Sequence, residues 1–162
     1  MRLILTLLVL CILACTEQKE IKQPTKPAKS IENLVSVLDT IWRTEQTPIR
    51  MRDSLMKIYG VESPEAQKQQ EIFEKNHLIN EKKVVEILGK HEWPDPEITG
   101  ESGNLTICNV IQHSDIETRI KYLPIMKEAV KRKKLEPRLL ARSEDRLATD
   151  SGELQVYGGQ IK

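Results

Sequence analysis

Polar side chains of the kinds that hold ligands and move protons recur in this chain at intervals that a helix would turn inward. Between Phe73 and Leu88 the apolar residues Phe73, Val84, Ile87 and Leu88 share one face when side chains are placed at about 100° per residue. His77 and Asn80 fall in the middle of that face, with Asn76 at its edge. Upstream, Leu34, Leu38 and Ile41 define a stripe whose register continues to Glu45, and on to Arg52 if Pro48 only bends the helix. Gln112 and His113 close an apolar stretch ahead of Ser114 and Asp115, and Asp145 and Arg146 stand side by side near the C-terminus. Burying a polar group without a partner costs about 1–3 kcal/mol, and a lone charge more, so such groups must meet one another or a ligand.

Three uses of these residues follow. In the first they satisfy one another: Glu45 or Asp145 pairs with Arg52 or Arg146 in an internal salt-bridge network, while His77, Asn80 and Gln112 bond backbone ends, as most buried polar groups do. The protein is then a structural one. In the second they converge on a pocket between helices, where bundle sites are usually built, and hold a small polar ligand or a short segment of a partner protein. In the third His113 is the general base of a hydrolase, with Asp145 or Glu45 beside it. No serine elbow and no cysteine–histidine context accompanies that histidine. His77, His113, Glu45 and Asp145 are legitimate metal-ligand types, but their spacing has none of the i, i+4 pairing of a strong zinc signal, so no metal or other cofactor is expected. The Gly100-Glu101-Ser102-Gly103 turn before a helix is a candidate anion cradle, against which Glu101 argues, and Ser102 or Asn104 serves as a plain N-cap.

The elements that must position these groups are helical. A first helix follows Ser30, which is a plausible N-cap, and Pro48 is expected to end or kink it near Thr47 before the pattern resumes through Ile49, Leu55 and Met56. Pro64 after Ser63 starts a second helix that runs to Leu88, with Gly89 as C-cap. His91 to Gly103 holds two prolines and two glycines and reads as a loop. Asn104 to His113 is apolar enough for a buried third helix; Ser114-Asp115 begins a fourth, kinked at Pro124, and a short fifth runs from Pro137 to about Glu144. The turn-like Asp150-Ser151-Gly152 and the alternating Leu154 and Val156 predict a terminal β-hairpin. The expected fold is mainly α: a compact, bundle-like domain of four to five helices over residues 31–162, closed by a small C-terminal hairpin.

The N-terminus predicts an address. Arg2 precedes an apolar run from Leu3 to Leu13, and Ala14 sits directly before Cys15, which is the charged, apolar, small-residue order of an export signal. The run is about half the roughly 20 residues that span a bilayer, so residues 1–14 read as a cleaved signal peptide. Ile12-Leu13-Ala14-Cys15 resembles a bacterial lipobox, which implies a lipid on Cys15. Residues 15–30 are then a lysine- and proline-containing tether reaching about 20 Å. Such a protein sits in the bacterial cell envelope, held to a membrane by its lipid anchor, with an envelope protein or a small ligand as partner. Cleavage removes one of 25 basic residues and none of 24 acidic ones. The resulting neutral chain lacks the basic field of a nucleic-acid reader, so no nucleic-acid partner is expected. Cys108 is left as a lone thiol in an apolar helix, expected to act as a small buried hydrophobe.

The order Trp93-Pro94, Gly100-Glu101, Ile111-Gln112-His113-Ser114-Asp115, Tyr122-Leu123-Pro124, Glu144-Asp145-Arg146, Gly152 and Gln155-x-Tyr157-Gly158-Gly159-Gln160 resembles the DUF6624 family, common in Bacteroidetes. The similarity covers roughly Ile41 to Gln160. Against the family's pattern, Glu45-Gln46 stands where Asp-Gln is usual, His77 where Asp is usual, and Gly159 where Thr or Ser is usual. The resemblance carries no catalytic residue or cofactor. It does imply that the inward-turned residues belong to one motif set, to which it adds Gln155, Tyr157 and Gln160 on a chain end tucked against the helices.

Overall fold

The computed structural model describes residues 26–100 and 102–160, with side chains from Asn33 onward. The expected signal peptide, Cys15 and most of the expected tether lie outside the described residues, and residues 26–30 of that tether are helical. Among the described residues six helices follow one another: α1 (Lys26–Tyr59), α2 (Pro64–His91), α3 (Pro96–Thr99), α4 (Gly103–His113), α5 (Ile116–Lys131) and α6 (Pro137–Asp150). No helix of the described residues is long and apolar enough to cross a membrane.

α1 and α2 form a long antiparallel hairpin, and α5 packs on α6. Between the two pairs lies α4, which touches α1, α2, α3, α5 and α6. Its sequence explains that central place. Thr106, Ile107, Cys108, Val110, Ile111 and Gln112 are all buried, and a helix that is apolar almost all round is stable only inside. Leu38 and Ile41 of α1, Val84 and Leu88 of α2, Met126 of α5 and Leu139 of α6 close on it to form one core. Gly103 lets α4 start tight against its neighbours: a Cβ there would run into Thr99 and come within 3.0 Å of Leu38 Cδ1.

α1 differs from expectation at both proline and cap. It begins at Lys26, so Ser30 lies inside it, and Pro27 is accommodated in the first turn, where no helical N–H bond is needed. Pro48 neither ends α1 nor divides it. A proline cannot donate to the carbonyl four residues back, which here is Thr44. Asn76 of α2 supplies the missing donor, with its Nδ2 3.0 Å from the Thr44 carbonyl oxygen. The broken rung of α1 is thus repaired by its partner, and the repair locks α2 in register beside Glu45.

α2 starts as the sequence predicts, with Ser63 accepting from the Ala66 N–H at 3.3 Å and Pro64 in the first turn. It runs past Gly89 to His91, and the left-handed residue is Glu92 at φ 54°. Those extra residues carry Trp93, 2% exposed, into the core. Within the expected loop, Pro96–Thr99 forms the short α3. Asp115 caps α5 through a 2.7 Å bond from the Thr118 N–H, and Pro124 lies inside that helix.

The terminal hairpin is not formed: the described residues contain no strand. α6 continues to Asp150, because Asp150 is held there by Arg119 at 2.6 Å. Beyond it Leu154 and Val156, the alternating residues, are 92% and 79% exposed. A two-stranded hairpin with no apolar face to cover is marginal in water. The backbone N–H groups of this segment bond a side chain of α6 instead.

Candidate functional site

The site grows from the repaired rung. With Asn76 on the Thr44 carbonyl, the next turn of α2 sets Asn80 against the same stretch of α1: its Nδ2 donates to Thr44 Oγ1 at 3.0 Å and to Glu45 Oε1 at 3.0 Å. Between them His77 turns Nδ1 toward the same carboxylate, 3.3 Å from Oε1 and 3.4 Å from Oε2. Glu45 and Asn80 are each 2% exposed and His77 is 8% exposed. A carboxylate in so dry a place is tolerable only with charge-assisted partners, and here the partners come from α2. A carboxylate accepts only, so His77 donates from Nδ1, and in the neutral ring Nε2 is bare.

Nε2 of His77 has no hydrogen-bond partner although it is buried. Glu81 Oε2 stands 3.9 Å away, too far for a hydrogen bond, while the other oxygen of Glu81, Oε1, accepts from Thr118 Oγ1 of α5 at 3.1 Å. The His77 ring stacks on Phe73 at 5.6 Å between centroids and lies 6.3 Å from the ring of His113, whose edge packs on Phe73 at 5.6 Å. His113, the last residue of α4, is exposed on its outer side. Its inner side lies against these rings. Loss of water there pushes its pKa below the usual histidine range; the Glu45 carboxylate opposes that shift, and His77, Arg146 and Arg142 reinforce it. Beside it Gln112 is buried, with Oε1 unpartnered.

Four of the expected residues therefore meet: Glu45, His77 and Asn80 in direct contact, with the ring of His113 6.3 Å from that of His77. Arg146 approaches from α6, near enough to act on the charge of His113. The others go elsewhere. Arg52 lies about 10 Å further along α1 at 1.5 Å per residue, where it donates to Gln70 Oε1 at 2.6 Å and pairs with Asp53 at 2.8 Å. It is no partner of Glu45.

Asp145 is buried, as expected, but it serves the tail. Its Oδ1 accepts from the N–H groups of Val156 at 2.8 Å and Tyr157 at 2.9 Å, and its Oδ2 accepts from that of Gly159. Burial alone would raise this carboxyl, but the three backbone donors outweigh it and hold the pKa below the usual aspartate range. Gln155 and Gln160 close the loop on each other, Nε2 to carbonyl at 2.9 Å and N–H to Oε1 at 2.8 Å. Gln160 Nε2 also donates to the Arg142 carbonyl at 3.0 Å. Gln155, Asp145 and Gln160 thus form a knot that fastens the chain end to α6, while the Tyr157 side chain is 62% exposed. With both oxygens of Asp145 occupied by N–H groups, this residue is not the partner of His113.

Among the described residues no three or more His, Cys, Asp or Glu side chains gather as a metal site. Cys108 is buried, and burial pushes its thiol pKa up, as suits an inert packing residue. Sequence reasoning missed Thr44, Glu81 and Arg142. Thr44 had a signal, since Pro48 must orphan its carbonyl; Arg142 had one in its i, i+4 spacing from Arg146. Comparison with known proteins adds nothing to this geometry: no family model, no curated protein and no solved structure matches the chain.

Proposed function

We propose that this is a lipid-anchored envelope protein whose helical domain binds a small polar ligand at the His77–His113 face of the Glu45 cluster. The observation that carries the reading is the buried Nε2 of His77, left without a partner while Nδ1 of the same ring is fixed by Glu45. A buried polar atom left open costs free energy, and a ligand group bonded to it recovers that cost. The lipobox-like Ile12-Leu13-Ala14-Cys15 and the short polar tether support the address, and the motif order supports placing the chain with DUF6624.

The test is to follow the ring signals of His77 and His113 by NMR while small polar compounds (amino acids, sugars, nucleosides and short organic acids) are added to the tether-free domain. A compound that moves both rings saturably supports the reading. If none moves them, the cluster is an internal network and the domain structural. The address is checked separately: Cys15→Ala should shift the protein from the membrane to the soluble fraction.

One observation favours a second, hydrolytic reading. A carboxylate holding Nδ1 of an imidazole with Nε2 free is the arrangement of a general base, and Glu45 with His77 has it. The base is then His77, with the ring of His113 6.3 Å away; Asp145 takes no part because the tail occupies it.

A further inference from the structure

The α1–α2 hairpin has one face that no other described element covers. The rest of the domain packs on the opposite side: a Cβ at Gly100 would touch Val35 of α1 at 3.4 Å, and Thr118 of α5 bonds Glu81 of α2. Along the free side runs an open groove lined by Ser36, Val37 and Thr40 of α1 and by Lys83, Glu86 and Ile87 of α2. Seven residues return a helix to within about 20° of the same direction, so the groove residues fix what lies beyond them. Met51 and Ile58 stand two and three heptads after Val37, and Ile79 and Ile72 one and two heptads before Glu86. All four are exposed, and no residue from Trp42 to Lys83 belongs to the hydrophobic core.

Cations follow both edges of this apolar ridge at the same repeat. Arg43, Arg50 and Lys57 succeed Ser36 at heptad intervals, and Lys68, Lys75 and Lys82 repeat likewise along α2 beside Ile72 and Ile79. All six are exposed, and none is in an ion pair among the described residues. With Lys83 and Lys90, eight cations share the face with four acids, Asp39, Glu65, Glu71 and Glu86, and Glu86 is held by Lys90 at 2.5 Å. The face is therefore apolar along its middle and positive overall.

We propose that this face is a docking surface for an anionic lipid bilayer, on which the hairpin lies flat with Met51, Ile58, Ile72 and Ile79 dipped below the headgroups and the two cation rows on lipid phosphates. Helices that lie in a membrane surface have this build, an apolar stripe between Lys and Arg side chains whose stems reach outward. The rows stand on the outer edges of two helices whose axes are about 8–10 Å apart, a span wider than one helix. A single acidic helix seated in the groove would miss them, whereas a flat anionic surface meets both. Reach agrees: α1 begins at Lys26, so a lipid on Cys15 would hold the hairpin within about 40 Å of the bilayer. The proposal does not rest on the His77–His113 ligand reading.

The experiment is co-sedimentation of the unlipidated chain from Thr16 onward, which contains every described residue, with vesicles of phosphatidylglycerol and phosphatidylcholine in equal parts and of phosphatidylcholine alone. The mixed vesicles should bind it about tenfold more tightly or better, and the preference should shrink as salt is raised. A cation close to an anionic surface contributes about fivefold, so Arg50→Gln combined with Lys75→Gln should weaken binding about 25-fold. Ile58→Ser should weaken it at low and high salt alike. These positions are exposed, so circular dichroism should show unchanged helix content. Lys133→Gln, exposed beyond α5 on the body of the domain, should bind like the wild type. Equal binding to both vesicles, or a loss for Lys133→Gln as large as for Arg50→Gln, would overturn the proposal. So would binding to neither, which would pass the face to an acidic protein partner.

Discussion

Replacing Asn80 by alanine removes two hydrogen bonds from the point where α1 and α2 are locked together. Asn80 Nδ2 donates at 3.0 Å to Glu45 Oε1 and at 3.0 Å to Thr44 Oγ1. A bond to a charged acceptor is worth about 1.5–3 kcal/mol and one to a neutral hydroxyl about 0.5–1.5 kcal/mol. The variant should lose about 2–4 kcal/mol, read by urea denaturation followed through far-ultraviolet circular dichroism. Glu45→Gln keeps the side-chain shape and an acceptor oxygen but removes the charge. In that background the same Asn80→Ala change should cost about 1 kcal/mol less, and the difference is the coupling of the pair. Leu78→Ala, on the outer face of α2 at a position 63% exposed, is the control and should stay within about 0.5 kcal/mol. A cost for Asn80→Ala below about 1 kcal/mol, or one that is the same in both backgrounds, would refute the claim that Asn80 holds a buried carboxylate.

Three further outcomes are expected. Gly159→Thr restores the residue type the DUF6624 resemblance places there, yet a Cβ at 159 would stand 3.0 Å from Asp145 Oδ2 and 3.3 Å from Arg142 Cα; amide exchange at Val156 and Tyr157 should accelerate while the helical core keeps its protection, and unchanged exchange would count against the knot. His113 has a folded pKa below its ordinary value, so the unfolded chain binds the proton first: its contribution to stability is complete above the unfolded pKa of about 6.5 and falls as pH drops toward the folded value. The stability of the wild type to denaturation should fall across that window more steeply than that of His113→Gln, and parallel profiles would contradict the burial of its inner side. Cys108, buried with a raised pKa, should react with a thiol reagent only as the protein unfolds, and fast labelling of the native domain would disprove its packing role.

Much of this architecture was legible because apolar spacing and caps are local. Ser63-Pro64 and the face of Phe73, Val84 and Leu88 announce α2, and the same periodicity turns Glu45, His77 and Asn80 inward. What failed depended on partners distant in sequence. Pro48 reads as a break until Asn76 supplies a donor to Thr44. Leu154 and Val156 read as strand residues until the N–H groups of Val156 and Tyr157 are found on Asp145. Gly89 reads as a stop, but burying Trp93 requires the helix to continue. Pairing was equally hidden: nothing in the spacing of Asp145 and Arg52 tells that one holds the tail and the other a neighbouring Asp53 and Gln70.

The protonation pattern of the His77 ring tests the central claim most directly, because it reports both the grip of Glu45 and the freedom of the outer nitrogen. Long-range proton–nitrogen correlation spectra of the tether-free domain at neutral pH separate the two ring nitrogens. The account predicts a proton on Nδ1, held by Glu45, and an unprotonated Nε2 whose shift responds to added ligand. A ring protonated on Nε2 with Nδ1 bare would mean that Glu45 does not hold His77, and the site built on that contact would not exist.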